Sequence, residues 1–513
     1  MNVIVIGGGA SGMMAALTAA EQGHQVTILE RQARVGRKLM ATGNGRCNLT
    51  KLHASPLHYH GQDADFCAYA LEAFNVESTL EWFSSLGLVT ITEDSGRVYP
   101  YSNMAGSVLD VLRFALENPN ITLVAGCVVT NIRHKKGLFT VTTEKDVFTA
   151  DRVILAAGGA AGSKVGGVMD GYQLGKAMGH HRTALYPSLV QLKTDPTYPR
   201  ALKGVKAEAA ITIRRRNEVL AQGKGEVLFT EYGVSGPAIF ELNRAAATGG
   251  EGLEVELDFL PDWTEEETLA WVAARQMQRG SQEAGTLLCG TLHSRLGQML
   301  CKAAGYTAQP CNTLDEKALK GIARQLRHFT LPITGVCGFD QAQVTAGCLR
   351  TDEFDPTTME SKLVSGFYAC GEVLDIDGDC GGYNLQWAWS SGRLAGLLMS
   401  NNYKQIKNPL SFESGFLLSR FDYSASSASS SSASTAGASR ARMDREIFCF
   451  SSSIAVILAS TIWFSLRTSP GFSMRRSAIW EMWIRPSTPG TTSAKAPKVI
   501  SFTMRTLATS PTL

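Results

Sequence analysis

The stretch that decides the fold is NVIVIGGGASG, which runs from Asn2 to Gly12. A short β-branched apolar run is followed at once by Gly7-x-Gly9-x-x-Gly12, which opens a helix of small residues predicted over Ala10–Gln22. Gln25–Glu30 is a second apolar strand that ends in an acid. The order of strand, glycine turn, helix and strand predicts a parallel sheet, and so an α/β fold with a Rossmann-like domain.

The same spacing suits the binding of a dinucleotide. Gly7 allows the tight turn, Gly9 lets the backbone approach a pyrophosphate, and Gly12 lets the helix pack closely on the strand. The helix N-terminus offers free N–H groups to the phosphates. Glu30 lies 18 residues after Gly12 and can accept hydrogen bonds from a ribose hydroxyl. An acid there favours an unphosphorylated ribose, as in FAD or NAD; the alternative is a purely structural glycine turn.

Three later segments favour FAD. Val153–Gly159 is the strand and glycine pattern with which a flavoprotein chain returns beside the FAD fold, and Val129 stands where such proteins contact adenine. Phe367–Ala369 is a last core strand, and Gly371-Glu372 after it delivers an acid to the ribityl chain. Gly381–Leu385 then begins a helix whose N-terminus would stabilise negative charge on a reduced flavin ring. Each segment alone is also compatible with ordinary packing.

The remaining hydrophobic patterns predict further elements. Helices are predicted over Phe66–Leu86, Ala105–Asn118, Glu265–Arg279 and Trp387–Ser400. Strands are predicted over Ile121–Val124, Val128–Ile132, Phe139–Thr143 and Val147–Thr149, as one small meander, and over Ala209–Arg214.

Three long strings carry a family resemblance: Gly36–Thr50, Phe229–Pro237 and Gly371–Gly392. With them the chain, from Met1 to about Lys404, resembles the bacterial flavoproteins called BaiN-like, YhiN-like or aminoacetone-oxidase-like. The resemblance implies an FAD-binding domain of the two-dinucleotide-binding-fold type, built from residues 1–187 and 345–405. It also implies an inserted domain, residues 188–344, with a small β-barrel and helices.

The resemblance also implies a reaction type. Known members include a reductase of unsaturated bile-acid intermediates, a ribosomal-RNA dihydrouridine synthase and an aminoacetone oxidase. We therefore expect a cytoplasmic FAD enzyme that takes hydride from NAD(P)H at flavin N5 and passes it to an unsaturated or carbonyl-bearing small molecule. Ribosomal RNA as substrate, oxygen as electron acceptor, and a non-catalytic flavin-binding protein are the alternatives. A second full glycine motif for the nicotinamide is not visible in the sequence, and the oligomeric state is left open.

The predicted cofactor contacts gather in these strings. The loop Gly43–Asn48 would wrap the flavin, and nearby cations would offset pyrophosphate or reduced-flavin charge. The full set is Gly7, Gly9, Ala10, Ser11, Gly12, Glu30, Arg31, Arg37, Lys38, Gly43, Asn44, Gly45, Arg46, Cys47, Asn48, Val129, Ala157, Gly158, Gly159, Gly371, Glu372, Asn384 and Leu385. No catalytic residue and no metal ligand is assigned.

Two cysteines are interpreted as packing residues. Cys348 stands where the family usually has a second glycine, in a loop that should pass near the flavin. No other cysteine is close to it in sequence, so a redox role is disfavoured. Cys47 has no identifiable base that would make it a nucleophile.

Other notable side chains have competing interpretations. His180 and His181 are adjacent, which does not suit a metal site on a helix. His58 and His60 could line one face of a strand, but no partner carboxylate is apparent. The run Arg214–Arg216 could touch RNA phosphates, although a solvated hairpin end is favoured because flanking aromatic residues are missing. Trp387 and Trp389 could flank a substrate or pack in the core.

Charge separates a body from a tail. From Asn408 onward there are 11 basic and 5 acidic residues, a net of +6; subtraction from the whole-chain totals of 49 and 46 leaves 38 and 41, a net of −3. The charge of the body therefore gives no support for nucleic-acid binding. The 11 cysteines include no C-x-x-C pair, which argues against a disulfide framework or a zinc site, and no signal peptide is evident.

Residues 406–513 are rich in Ser and Arg. From Asn408 onward, 24 of the 106 residues are Ser. We interpret the tail as an out-of-frame translation; a disordered extension is the second hypothesis. A membrane anchor over the uncharged run Ile447–Leu466 is the third, weakened by the serines within it. No membrane association is expected of residues 1–405.

Overall fold

The structure is a computed structural model and describes residues 1–399. Its strands are β1 Asn2–Ile6, β2 Gln25–Glu30, β3 Thr50–Lys51, β4 Tyr59–His60, β5 Thr90–Thr92, β6 Arg97–Pro100, β7 Ile121–Ala125, β8 Val129–Lys135, β9 Leu138–Thr143, β10 Val147–Ala150, β11 Arg152–Leu155, β12 Tyr186–Ser188, β13 Leu192–Thr194, β14 Lys206–Arg215, β15 Glu218–Phe229, β16 Gly233–Ser235, β17 Leu253–Asp258, β18 Phe329–Val336, β19 Val344–Ala346, β20 Phe367–Ala369 and β21 Asp377–Gly378. Its α-helices are α1 Ala10–Glu21, α2 Arg37–Ala41, α3 Ala68–Ala73, α4 Val76–Ser85, α5 Ala105–Ala115, α6 Asp170–Ala177, α7 Pro237–Thr248, α8 Glu265–Arg279, α9 Ser294–Ala303, α10 Glu316–Arg327 and α11 Tyr383–Gly396. The predictions for residues 406–513, including the run Ile447–Leu466, lie outside the described residues.

A five-stranded parallel sheet organises the first core. Its strand order is β20-β11-β1-β2-β7, and Ile6 lies opposite both Leu29 and Leu155. The middle strands are apolar because both faces of a parallel sheet are covered, here in part by α1, in which ten of twelve residues are buried. The predicted Rossmann-like α/β fold is confirmed.

One strand prediction was wrong in its pairing. Ile121–Val124 was expected in an antiparallel meander, yet β7 is the edge of the parallel sheet, with Val26 opposite Ile121. The meander contains only β8, β9 and β10. Residue patterning indicates that a segment is extended, but its partner is set by tertiary packing. Directly after β7, the Gly126 N–H donates to the Gln32 carbonyl at 2.9 Å. This bond continues the pairing of β7 with β2 past the ends of both strands.

One predicted helix is two helices in the structure. The segment Phe66–Leu86 forms α3 and α4, because Asn75 interrupts it as the N-cap of α4 and accepts from the Ser78 N–H at 3.0 Å. The last helix begins at Tyr383, within the predicted start Gly381–Leu385 and before the helical pattern predicted from Trp387, directly after Gly382, whose φ is 107°. Glycine adopts such an angle without strain, so the helix can start as soon as the glycine turn ends.

A closed six-stranded barrel forms the second core. Its order is β13-β16-β15-β14-β17-β18, and β18 returns to β13 where Leu192 lies opposite Val336. Apolar residues of α7 to α10 complete this core. The predicted inserted barrel with helices is therefore confirmed, whereas the boundaries at residues 187 and 344 stay predictions. Arg214 lies near the end of β14, at the β14–β15 hairpin, and forms ion pairs with Glu254 and Glu256.

Within residues 1–399, no helix combines the length and the apolar character needed to cross a membrane.

Candidate functional site

Three strands of the parallel sheet deliver their following loops to one place. Gly7–Gly12 follows β1, Ala156–Gly159 follows β11, and Cys370–Glu372 follows β20. The Ala156 N–H donates to the Ile6 carbonyl at 2.9 Å and the Cys370 N–H to the Leu155 carbonyl at 3.1 Å. We call these three loops the cradle. Ligands of open α/β sheets bind at this carboxyl edge.

The cradle glycines have two different roles. A Cβ on Gly12 would lie 1.9 Å from the Gly7 carbonyl oxygen, and one on Gly371 would lie 2.3 Å from Ser11 Oγ. These two glycines let the protein pack on itself. A Cβ on Gly9 would meet no protein atom within 4 Å. Gly9 therefore leaves open space at the N-terminus of α1, where a phosphate would approach.

Glu30 ties the end of β2 to the glycine loop. Its carboxylate accepts from the Gly8 N–H and from the Gln32 N–H, both at 2.6 Å. The backbone carbonyl of Glu30 accepts from the Cys127 N–H at 2.8 Å, two residues before Val129. The structure thus brings Glu30 and Val129, both predicted to contact the cofactor, to the same end of the cradle. Arg31 beside them pairs with Asp170 of α6 at 2.6 Å.

Glu372 is the most highly connected acid of the cradle. Its Oε1 accepts from the Thr345 N–H at 2.9 Å and from Thr345 Oγ1 at 3.1 Å, and its Oε2 pairs with Lys38 Nζ at 2.5 Å. A Cβ on Gly159 would lie 2.5 Å from Thr345 Oγ1, so only a glycine fits there. Thr345 was missed by the sequence interpretation. Its position, three residues before Cys348 in the loop expected near the flavin, was the available signal.

The predicted loop at residues 43–48 lies against the start of α11. A Cβ on Gly382 would be 2.9 Å from Asn48 Oδ1. The Trp389 indole N–H donates to the Leu49 carbonyl at 3.0 Å and holds the next residue of this segment. Asn48 Oδ1 is buried and has no hydrogen-bond partner within the described residues. A buried acceptor of this kind fits a ligand that donates a hydrogen bond.

Three other residues predicted to contact the cofactor have side chains that bond to protein groups outside the cradle. The Arg46 guanidinium bonds Glu93 at 2.7 Å and lies over the Tyr99 ring at 3.9 Å. Arg37 donates to Gln32 at 2.7 Å. The Asn384 amide is occupied by both backbone groups of Gly378 at 2.8 and 2.7 Å. Of the four cations in the predicted set, Arg31, Arg37, Lys38 and Arg46, Lys38 is the one that pairs with a cradle residue, Glu372.

The two tryptophans of α11 are core residues. Trp387 and Trp389 are fully buried, and the Trp387 indole N–H donates to the Gly371 carbonyl at 3.1 Å. They position the cradle from behind and do not flank a substrate. Cys47 is also buried, and burial raises the pKa of its thiol to about 12, which fits its interpretation as a packing residue.

The paired histidines both contact a single acid. His180 Nδ1 and His181 Nδ1 lie 3.0 and 2.7 Å from the Glu353 carboxylate. His180 also stacks on the Phe354 ring, with centroids 4.3 Å apart. Burial lowers the pKa of His180 although Glu353 opposes the shift. This is a packed structural contact.

Cys348 occupies a backbone position that favours glycine. Its φ is 136°, and it follows Gly347 with φ 86°. The side chain is fully buried; Sγ donates to the Glu372 carbonyl at 3.0 Å and lies 3.1 Å from Tyr172 Oη. Burial raises the pKa of the thiol well above its usual value. The thiol therefore stays neutral and supports the cradle at Glu372.

Substitution of Cys348 separates backbone strain from side-chain packing. Cys348→Ala keeps the strained φ and loses both contacts of Sγ, whereas Cys348→Gly loses the same contacts and relieves the strain. We expect the glycine variant to exceed the alanine variant in free energy of unfolding by about 1–2 kcal/mol, measured by urea denaturation. An alanine variant as stable as the glycine variant would show that residue 348 carries no strain.

A histidine pair that the sequence left without a partner has one in the structure. His60 Nε2 and His58 Nδ1 lie 2.8 and 3.0 Å from the two carboxylate oxygens of Asp379. No partner carboxylate was apparent in the sequence because Asp379 is 319 residues from His60 in the chain. The antiparallel pairing of β4 with β21 brings them together.

The family model described as the HI0933-like protein Rossmann domain matches residues 1–398. The chain belongs to the HI0933-like family. The HI0933-like match spans both the parallel sheet and the barrel, and it confirms the family resemblance inferred from the three sequence strings.

Two curated relatives align over nearly their entire lengths. The 3-dehydro-bile acid delta(4,6)-reductase of Clostridium scindens is 38% identical over 403 residues, which are 77% of this chain and 98% of the relative. The ribosomal RNA dihydrouridine synthase of Haemophilus influenzae is 27% identical over 407 residues, with the same two coverages. A quinol-fumarate reductase structure has a TM-score of 0.40 at 17% identity, over 79% of this chain and 72% of its own. This HI0933-like chain is an oxidoreductase.

Proposed function

We propose that this chain is an FAD-dependent reductase that moves a hydride equivalent from NAD(P)H to a small unsaturated or carbonyl-bearing molecule, in the cytoplasm. The observation that carries the proposal is the cradle together with Glu30 at the end of β2. The glycine loop of β1, Glu30 and Glu372 meet at one sheet edge. When bound, FAD would supply two-electron hydride chemistry that amino-acid side chains lack.

The residues present fit that cofactor. Open space at Gly9 and the N-terminus of α1 suit the pyrophosphate. Glu30 suits a ribose and Glu372, braced by Lys38, suits the ribityl hydroxyls. Asn48 Oδ1 offers a buried acceptor beside the first turn of α11, whose backbone N–H groups have no carbonyl partners within the helix. These N–H groups would stabilise negative charge on the flavin ring.

The relatives support a small molecule over RNA as the substrate. The bile-acid reductase is 38% identical to this chain and the ribosomal RNA dihydrouridine synthase is 27% identical. The net charge of −3 outside the basic tail, from 38 basic and 41 acidic residues, also opposes RNA binding. Deletion of the gene tests the alternative: loss of one dihydrouridine from ribosomal RNA would move the substrate to RNA.

The proposed reaction is tested by following the two halves separately. Full-length chain is purified, its cofactor is identified by mass spectrometry, and anaerobic protein is mixed with NADH or NADPH in a stopped-flow instrument. We expect FAD, and bleaching of the flavin absorbance by at least one of the two donors. A cofactor-bearing chain that neither donor reduces would contradict the reductase. Rapid reoxidation of reduced protein by oxygen, with no reaction with enones, would favour the oxidase alternative.

A further inference from the structure

The histidine pair on Asp379 stands beside the helix that the proposed function assigns to the flavin ring. The His58 ring stacks on the Tyr383 ring with centroids 4.5 Å apart. Tyr383 is the first residue of α11 and is buried. Its backbone carbonyl accepts from the Tyr59 hydroxyl at 2.9 Å, which fixes β4 to the same helix end. We call His58 and His60, both held by Asp379, the imidazole pair.

Asp379 holds both rings in one orientation. Each of its oxygens accepts from one imidazole, Oδ2 from His58 Nδ1 and Oδ1 from His60 Nε2. Burial alone would raise the pKa of Asp379, but hydrogen bonds from His60 and His58 lower it below its usual value. The carboxylate therefore stays ionised and continues to accept from both rings. Such a carboxylate fixes the tautomer of the imidazole that donates to it.

The outer nitrogen of each ring is accessible. The side chains of His58 and His60 are 38% and 39% exposed. Within residues 1–399, no hydrogen bond occupies Nε2 of His58 or Nδ1 of His60. An imidazole with one nitrogen anchored on a carboxylate and the other open is arranged for proton transfer.

Charged and titratable groups of several elements face the imidazole pair. Glu241 of α7 interacts electrostatically with Asp379 and His58, and also with two cations, Lys51 of β3 and Arg97 of β6. Cys380 interacts with Asp379 and with the same two cations. The ion pair of Asp377 with Arg244 lies behind His60. The surface around the pair is therefore polar and mixed in charge.

Resting on the proposed function, we propose that His58 delivers the proton that completes reduction of an enone, and that Asp379 and His60 are positioning residues. The β-carbon of the C=C–C=O group accepts a hydride that originates from NAD(P)H. The π electrons of C=C move to the carbonyl and leave an enolate. The imidazolium form of His58, whose Nδ1–H is held on Asp379, gives its Nε2 proton to the α-carbon. A C–H bond forms there, the C=O bond is restored, and solvent returns a proton to Nε2 of the neutral imidazole. The sum is one hydride and one proton added across C=C.

The test compares His58→Gln and Asp379→Asn with a matched control, His328→Gln. His328 is also 38% exposed and lies 3.3 Å from Glu256 and 3.4 Å from Glu265, but it belongs to the barrel. Anaerobic enzyme is first reduced by NAD(P)H and then mixed with 2-cyclohexen-1-one or a 3-dehydro-4,6-diene bile acid. In His58→Gln we expect reoxidation to slow by about 100-fold or more while flavin reduction changes by less than about twofold, since proton transfer contributes about 10²–10⁴-fold. Asp379→Asn should slow reoxidation less and shift its pH profile.

A second measurement does not depend on turnover. Binding of 4-nitrophenolate, a planar enolate mimic, to the oxidised protein is followed by its absorbance. We expect affinity to fall about tenfold or more in His58→Gln, the loss of one charge-assisted hydrogen bond, and to stay unchanged in His328→Gln. Wild-type reoxidation and wild-type phenolate binding in His58→Gln would overturn the inference and leave the proposed function intact. Wild-type protein that NAD(P)H cannot reduce would overturn the proposed function, and phenolate binding would then decide the role of His58.

Discussion

Gly9→Ala is expected to weaken cofactor binding strongly without harming the fold. The methyl group meets no protein atom within 4 Å, and φ of −79° at Gly9 is accessible to alanine. It would fill the space through which the pyrophosphate approaches the N-terminus of α1. We expect FAD affinity to fall by about 100-fold, or about 2.8 kcal/mol, measured by fluorescence titration of the cofactor-free chain.

The stability of the same variant separates this effect from misfolding. Alanine reduces the conformational freedom of the unfolded chain, so the free energy of unfolding of cofactor-free protein should be unchanged or raised by about 0.4–1 kcal/mol. Gly321→Ala is the matched control. Gly321 lies in α10, in the helical part of the insert, and the nearest atom to its added Cβ would be Ala304 Cβ at 3.9 Å. Unaltered FAD affinity in Gly9→Ala would place the pyrophosphate elsewhere.

Arg244→Met is expected to lower the free energy of unfolding more than any other substitution proposed for this protein. The guanidinium of Arg244 in α7 pairs with Asp377 in β21, whose side chain is 1% exposed. Loss of the cation would leave a buried carboxylate unpaired, which costs about 3 kcal/mol, the lower end of the range for such pairs, because the Arg244 side chain is itself 30% exposed. Urea denaturation measures the loss, and the double variant with Asp377→Asn should recover most of it.

The pH dependence gives this prediction a sign. Burial raises the pKa of Asp377 in the folded protein, although Arg244 opposes the shift. A carboxyl group with a raised folded pKa contributes stability that is present below its unfolded pKa and is lost as pH rises through its folded pKa. The deficit of Arg244→Met should therefore shrink as the pH is lowered. The exposed pair of Arg350 with Asp352, 45% and 55% exposed, is the control: Arg350→Met should leave the free energy of unfolding nearly unchanged, because solvent screens an exposed ion pair. Equal losses for both variants would contradict the role of burial.

The local part of the site was predictable because adjacent residues carry it. Strand, glycine turn, helix and acid follow one another from Asn2 to Glu30, and their spacing alone requires the geometry observed at Gly7, Gly9 and Gly12. Phe367–Ala369 was predicted with its observed bounds for the same reason. A backbone motif of this kind depends on short-range dihedral angles, and the identity of each glycine records those angles.

The contacts of Arg46 and the imidazole pair were decided by distant residues. The Arg46 guanidinium bonds Glu93, which is 47 residues further along the chain, and lies over the Tyr99 ring. His58 finds Asp379 across 321 residues through a two-stranded ribbon. A charged side chain selects the nearest opposite charge in space, and a single sequence does not state which charge that is.

By itself, the sequence determined the Rossmann-like sheet, the acid at the end of β2 and the family of flavoproteins that the chain resembles. Only the tertiary structure decided that β7 joins the parallel sheet, that Cys348 sits at a positive φ against Glu372, and that His58 and His60 share Asp379. Periodicity and glycine spacing report the conformation of a few adjacent residues. Ion pairs and strand partners depend on how segments hundreds of residues apart pack together, and that is settled only when both cores form.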